Sequence, residues 1–318
     1  MKILILTAAL FFAASARAAQ ISSAPYVQPP ATGLCIFGAQ SGKPFDTVAA
    51  FRSAVWKNDI IYAAGPGGDH MVLLARLEIL KTMLQARGSK IAVGFEAFSV
   101  TLQPVLDDYV AGKAGEEEFL RRTGFEKGRD SDFGYYRPLF DFIRANRLRA
   151  LAIGLPDGML SKIARAGLAG LDRQENTLLT EPLKPAVHKK YTEYLKNSFD
   201  SRSADYEGAD GQEAAFGNYL AAISASNEAM GKRLADFITE NPSYAALVIT
   251  GRLHVLYNAG MPAAVKARLG KPRQASFSIE SAGLCPAKLP AAARDTANYV
   301  WYLPAAEKNE PGADKGAP

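Results

Sequence analysis

The chain has 318 residues, 48% of them hydrophobic, and a formal net charge of +5. This length can bury a large core in one big domain or two small ones. The 37 basic residues are spread along the chain and form no concentrated stripe, which argues against nucleic-acid binding. Beyond the first residues, no run approaches the ~20 apolar residues of a membrane-spanning helix, so no transmembrane span is expected.

Residues 1–18 have the three parts of a secretory signal. Lys2 precedes an apolar run over 3–14, and the segment ends with Ala-Arg-Ala at 16–18. The apolar part is too short to span a bilayer, and no cysteine follows that could carry a lipid anchor. We therefore expect cleavage of residues 1–18 and a periplasmic or secreted mature protein.

Two cysteines, Cys35 and Cys285, stand at opposite ends of the mature chain. An oxidising compartment would favour a disulfide between them, whereas the alternative is two buried, inert thiols. The sequence leaves both open. A CxxC or CxxCH pattern is absent, so thiol redox catalysis and covalent haem attachment find no support.

The apolar pattern predicts an α/β fold with a central, mostly parallel sheet and helices on both of its faces. The chain is organised around residues 60–84, where a buried strand (60–64) leads through a glycine-rich turn (65–68) into a helix with a leucine stripe. That stripe is Leu73, Leu77, Leu80 and Leu84. Further strands are predicted at 34–37, 90–98, 149–155, 245–250, 275–279 and 299–303.

Residues 158–245 contain no convincing strand, and their apolar spacing predicts a helical insertion. Its longest helix is expected from about 212 to about 240. From about residue 305 the chain is rich in Glu, Lys, Gly and Pro, which predicts a disordered tail over 305–318. We expect a single domain over residues 19–304.

Asp69, Glu96 and His254 each follow, or lie near the end of, a predicted strand. The carboxyl ends of parallel strands meet at one edge of a sheet, so these side chains could converge there. Two carboxylates and an imidazole can hold a divalent metal that activates water, as in a metal-dependent hydrolase. The alternatives are a helix N-cap for Asp69 and a structural, hydrogen-bonded role for His254.

A haem iron would instead require an axial donor such as Tyr or His beside an apolar cleft. Tyr135 and Tyr136 precede Arg137, whose charge would favour a phenolate. Since the chain has 13 tyrosines, ordinary packing is the alternative for each one.

The order of these features resembles the ChaN-like haem-binding family of the Tiki superfamily over about residues 34–269. The family's first motif, Gly-Glu-x-His-Asp, is similar to 65–69, where Gly65 and Asp69 keep the outer positions. The other similar segments are Glu96-Ala97-Phe98, Tyr136-Arg137-Pro138-Leu139, Asn227-Glu228-Ala229-Met230 with Asn in place of Asp, Gly251-Arg252-Leu253-His254-Val255 and Gly260-Met261-Pro262.

The resemblance implies the α/β fold and binding of haem or a related iron cofactor outside the cytoplasm, with iron uptake as one use. It argues against hydrolysis, because Pro66 and Gly68 replace the family's Glu and His. His70 is displaced by two positions and is not taken as a substitute. A metal-dependent hydrolase of the Tiki type, and a degenerate member that binds another ligand or a protein partner, remain the alternatives. A homodimer is compatible with all three.

Overall fold

The computed structural model describes residues 34–125, 133–179, 188–200 and 209–303. The predicted signal segment 1–18 and tail 305–318 lie outside these ranges. The strands are β1 (Cys35–Gly38), β2 (Ile60–Ala64), β3 (Ile91–Ser99), β4 (Arg149–Gly154), β5 (Ala245–Thr250), β6 (Gln274–Ser281) and β7 (Tyr299–Leu303). They form one seven-stranded sheet in the order β1-β7-β6-β2-β5-β3-β4. Only β1 pairs antiparallel, which confirms the predicted, mostly parallel α/β fold.

The helices cover both faces of this sheet. They are α1 (Val48–Trp56), α2 (His70–Arg87), α3 (Gln103–Val110), α4 (Glu116–Thr123), α5 (Phe133–Ala145), α6 (Asp157–Ala166), α7 (Arg173–Asn176), α8 (Lys189–Asp200), α9 (Ala209–Glu240) and α10 (Met261–Leu269). Helices α1 to α5 pack on one face and α9 and α10 on the other. Strand β2 is apolar throughout because both of its faces are buried. Ile61 and Ala63 face helices α1 to α5, and Ile60 and Tyr62 face helices α9 and α10.

Helix α2 begins where the sequence predicts. Asp69 is its N-cap, and Oδ1 of this residue accepts the backbone N–H groups of Met71 at 2.8 Å and Val72 at 3.2 Å. The helix buries Leu73, Leu77 and Leu80 against the sheet, as the leucine stripe requires. It also buries an arginine, Arg76, on the same side.

Strand β3 contains a bulge that explains its irregular apolar pattern. Phe95 pairs with Ala152 of β4, but the next paired residue, Ser99, lies opposite Gly154, so β3 has the longer path. The backbone approaches so closely here that a Cβ on Gly154 would lie 2.1 Å from the carbonyl oxygen of Glu96. Glu96 therefore lies in the bulge, at the carboxyl-terminal end of β3.

Two differences from the sequence expectations concern helices. The residues before strand 149–155 predict a helix that begins near Pro138, but α5 begins at Phe133 and contains this proline. In the described part of 158–244 there are helices and turns but no strand. Helix α9 begins at Ala209, about one turn before the expected start.

Among the described residues, no helix is both long and apolar enough to cross a membrane.

A Cys35–Cys285 disulfide links β1 to the segment that follows β6, with the two Cα atoms 5.7 Å apart. This bond joins residues separated by 250 positions.

At the opposite edge of the sheet, the amide of Gln103 bonds to β4. Its Nε2 donates to the carbonyl of Ala150 at 2.9 Å, and its Oε1 accepts from the N–H of Ala152 at 2.8 Å. The side chain thus occupies backbone groups that an edge strand would otherwise expose.

Candidate functional site

The structure brings Glu96 and His254 into direct contact at the carboxyl-terminal edge of β3 and β5. His254 lies in the short 3-10 turn that follows β5, and its Nε2 is 3.0 Å from Oε1 of Glu96. The second carboxylate oxygen, Oε2, accepts the hydroxyl of Thr250 at 2.6 Å and the N–H of Gly251 at 2.7 Å. The carboxylate is therefore bonded through both oxygen atoms, although its side chain keeps 32% of its surface exposed.

These contacts change the acidity of Glu96. Burial raises the pKa of its carboxyl. The charge and hydrogen bond of His254, together with the bonds from Thr250 and Gly251, lower this pKa by more than burial raises it. The resulting pKa is about 2, against an ordinary value of 4.5. Glu96 is thus ionised at neutral pH.

The other side of the imidazole is held by Asn227 on α9. Nδ1 of His254 lies 2.8 Å from Oδ1 of Asn227, whose Nδ2 donates to the hydroxyl oxygen of Tyr191 at 3.1 Å. That hydroxyl donates in turn to the carbonyl of Leu253 at 2.8 Å. This chain fixes the amide orientation, so Nδ1 of His254 must carry a proton.

Both ring nitrogens of His254 are therefore committed. Nδ1 donates to an amide oxygen, and Nε2 faces an ionised carboxylate that only accepts hydrogen bonds. A histidine that ligates iron or zinc needs an unprotonated nitrogen, so His254 would have to leave Glu96 first.

A glycine makes this arrangement possible. A Cβ on Gly260 would lie 2.3 Å from the carbonyl oxygen of His254 and 3.1 Å from Oδ1 of Asn227. Only a residue without a side chain fits there. The glycine of the Gly-Met-Pro segment noted in the sequence is thus required by the packing around His254.

The third proposed metal ligand, Asp69, is engaged elsewhere. One of its oxygens caps α2, and the other accepts the hydroxyl of Ser281. Within the ranges that the structure describes, no group of three or more His, Cys, Asp or Glu side chains could hold a metal ion. The convergence of Asp69 with Glu96 and His254 on one metal, which strand ends suggested, is therefore not found in these residues.

A second polar cluster also includes Thr250, through its carbonyl oxygen rather than its hydroxyl. The guanidinium of Arg76 is almost fully buried, with 2% of the residue exposed. Its Nη2 donates to the carbonyls of Gly65 at 2.9 Å and Thr250 at 3.2 Å, and its Nη1 donates to the hydroxyl of Tyr135 at 2.6 Å. The phenol of Tyr135 thus lies beside a fixed positive charge, which is the arrangement that the sequence analysis assigned to Arg137.

Tyr136 and Arg137 have other described partners, although the ring of Tyr136 also contacts that of Tyr135. The ring of Tyr136 packs in an aromatic group with Phe95, Phe98 and Phe125. Arg137 is half-exposed and forms an ion pair with Glu116 of α4. The arginine that donates to the hydroxyl of Tyr135 is therefore Arg76, which the sequence did not single out.

Four residues of these clusters were not among the candidate site residues that the sequence singled out, namely Arg76, Tyr191, Asn227 and Thr250, although Asn227 was named within a family-like segment. Two of them carried a signal. Arg76 stands on the apolar stripe of α2, where a charge is unusual, and Asn227 opens the Asn-Glu-Ala-Met segment on α9. Tyr191 and Thr250 carried none, because their partners lie far away in the chain.

The chain is an α/β protein with a mostly parallel sheet, and the polar residues described above lie at the carboxyl-terminal ends of its strands. Residues 55–265 match the model of the family described as "Haem-binding uptake, Tiki superfamily, ChaN". The chain therefore belongs to this haem-binding family, as its motifs suggested.

Individual relatives are distant. The solved structure "Cofacial heme binding to ChaN of Campylobacter jejuni" superposes with a TM-score of 0.63 at 12% identity, over 84% of this chain and 95% of that one. A mutant of the erythromycin esterase EreC, in its open conformation, gives a TM-score of 0.42 at 13% identity, over 77% and 76% of the two chains. "Protein RETICULATA-RELATED 5, chloroplastic" of Arabidopsis thaliana is 24% identical over 223 residues, 66% of this chain. The match covers 29% of that relative.

Proposed function

We propose that this chain binds haem outside the cytoplasm and serves haem or iron uptake. The observation that carries the proposal is the family match over residues 55–265. The solved structure of Campylobacter jejuni ChaN, which shares the fold, is described as binding haem cofacially.

The donor groups of this chain fit a ferric haem. Phenol oxygen and imidazole nitrogen are both established axial ligands of haem iron. Tyr135 and His254 are one of each near the carboxyl-terminal edge of the sheet, and to bind iron each would exchange its present contact, with Arg76 and with Glu96 respectively. Haem would be the cargo of the protein, delivered together with its iron.

The extracytoplasmic part of the proposal is supported by two features. Residues 1–18 have the pattern of a secretory signal, and the Cys35–Cys285 disulfide suits an oxidising compartment. Expression of the full chain in a bacterium, followed by fractionation and mass measurement, tests this. A periplasmic protein that has lost its first 18 residues is expected, and an intact cytoplasmic chain would refute the location.

A haem titration tests the binding itself. The purified mature chain should give a saturable Soret shift with ferric haem at one haem per chain or at a fixed higher ratio. His188→Ala is the control, because His188 is exposed and could bind haem only at the surface. A folded wild-type protein without any saturable Soret shift would contradict the proposal.

A further inference from the structure

Helix α1 carries an exposed surface that is partly apolar. Among the described residues, four large hydrophobic side chains are exposed, and two of them, Val48 and Trp56, belong to this helix of 9 residues. Arg52 lies midway between them, four positions from each, so the three side chains follow one side of α1. The opposite side buries Phe51 and Val55 in the core.

Trp56 exposes its ring and turns its polar atom inward. Its Nε1 donates to the carbonyl of Thr82 on α2 at 2.9 Å, while 42% of the residue is exposed. Nε1 is the only polar atom of a tryptophan side chain. The usual arrangement, an apolar body inside and a polar tip in water, is therefore reversed. A partner could cover the exposed ring and release its water without breaking a hydrogen bond.

Two clefts follow this side of α1. The first has a volume of about 320 Å³ and lies between α1 and the turn after β1, where its lining includes Phe45 and Tyr299. The second has a volume of about 490 Å³ and is lined by Ala49, Arg52, Ser53, Trp56 and Lys57. Ser53 and Lys57 line both clefts, so the two are continuous. Tyr299 is the first residue of β7, which places this surface towards the amino-terminal edge of the parallel strands.

The rim of the clefts is basic. Lys43, Arg52 and Lys57 line them, and none of the three forms an ion pair with a described residue. No described residue in either lining is acidic. The nearest acidic residues in the chain, Asp46 and Asp59, line neither cleft, and Asp59 is paired with two arginines. Exposed apolar groups are thus surrounded by unpaired positive charges.

We infer that this surface, which we call the α1 face (Lys43, Val48, Arg52, Trp56 and Lys57), docks on an anionic lipid bilayer. A bilayer of this kind complements both of its features, since negative headgroups lie above an apolar interior. Tryptophan is enriched where proteins meet that boundary. Lysine and arginine can cover apolar surface with their stems while their charged ends reach the headgroups. The inference does not depend on haem binding, and docking leaves the carboxyl-terminal edge of the sheet open.

Vesicle flotation tests the inference on the purified mature chain, which lacks the apolar segment 3–14. One set of vesicles contains phosphatidylglycerol and phosphatidylcholine in equal parts, and the other contains phosphatidylcholine alone. Quenching of tryptophan fluorescence by brominated acyl chains is the second measurement. The chain has two tryptophans, and Trp301 is only 4% exposed. Trp56→Phe therefore leaves a single buried tryptophan whose fluorescence should not respond.

The wild type should float with the anionic vesicles, bind them less tightly as salt is raised, and show quenching that Trp56→Phe abolishes. Each basic residue near such a membrane contributes a factor of about 5 in affinity, so Arg52→Glu/Lys57→Glu should weaken binding by at least about 25-fold. Trp56→Ala should weaken it by about 5- to 10-fold.

Lys266→Glu/Lys271→Glu is the matched control and should bind like the wild type. It makes the same charge change at two exposed lysines in and just after α10, on the other face of the sheet. Circular dichroism checks that each variant is folded. If Trp56→Ala does not fold, the charge-reversal pair and the quenching of wild type decide the test.

Four results would overturn the inference. They are no flotation of the folded wild type with anionic vesicles, equal binding to both sets of vesicles, unchanged binding of Arg52→Glu/Lys57→Glu, and flotation without quenching of Trp56. Binding to soluble polyglutamate without binding to vesicles would also overturn it, and would assign the α1 face to an acidic protein segment instead.

Discussion

Nε2 of His254 and Oε1 of Glu96 lie 3.0 Å apart, and this contact joins the turn after β5 to the bulge of β3. Asn227 extends the pair to α9 and Tyr191 extends it to α8. The sheet edge and the helices that cover it are thus connected by one series of hydrogen bonds. Breaking this series at different points has different, measurable effects.

Glu96→Gln should make the free energy of unfolding less dependent on pH. The folded pKa of Glu96 is lowered from 4.5 to about 2, so its stabilising contribution is complete above about pH 4.5 and is lost as the pH falls towards 2. Allowing for screening by solvent, the contribution is about 2 kcal/mol at neutral pH. Urea unfolding from pH 7 to pH 2.5 should show wild type and Glu96→Gln converging at the acid end. Exposed Glu117→Gln is the control, and a constant difference would contradict the prediction.

Gly260→Ala should destabilise the protein by about 1–3 kcal/mol, as overpacking does. The added methyl group would meet the carbonyl oxygen of His254 at 2.3 Å, and neither backbone can yield easily. Gly217→Ala makes the same chemical change inside α9, where a Cβ meets nothing within 4 Å. That control should be neutral or stabilising by up to about 1 kcal/mol, because alanine favours a helix. Denaturant melts compare the two, and equal effects would show that the contact is not restrictive.

Removal of the Cys35–Cys285 disulfide should lower the free energy of unfolding by at most about 5 kcal/mol, the chain-entropy value for so long a loop. A Cys35→Ala/Cys285→Ala variant and reduced wild type should melt at the same lowered temperature. Reductant should leave the variant unchanged. If reduction did not affect wild type, the bond would contribute nothing to stability.

Gln103→Ala should expose the backbone of β4. Two hydrogen bonds to Ala150 and Ala152 are lost, which costs about 1–2 kcal/mol, and the freed edge can pair with another chain. Thermal melts and light scattering measure the two effects. Gln85→Ala removes an exposed glutamine from α2 and should change neither. Unchanged scattering in Gln103→Ala would show that this side chain does not protect the edge.

The sequence alone predicted the sheet well because its strands are short, apolar runs bounded by turns. Strands 60–64, 245–250 and 299–303 were predicted with the bounds that the structure shows. The N-cap role that the sequence offered for Asp69 is also found, and that role depends only on neighbours in the chain. Local features of this kind are fixed by residues a few positions apart.

The site was harder, because its contacts are not local. Arg137 follows Tyr136 in the chain, but adjacent residues of a helix point in different directions, so Arg137 reaches Glu116 instead. Arg76 reaches Tyr135 from another helix, 59 positions away. The bulge in β3 was equally invisible, since no turn residue marks it. These relationships follow from the packed structure.

The pairing of β1 has a consequence for the order in which the protein assembles. Its only neighbour in the described sheet is β7, so the first strand waits for the last one to emerge. A chain that leaves a membrane channel amino-terminal end first would expose β1 throughout its passage. In such an export, Cys35 would lack its partner until Cys285 had crossed, so the disulfide could form only after most of the chain had been transferred.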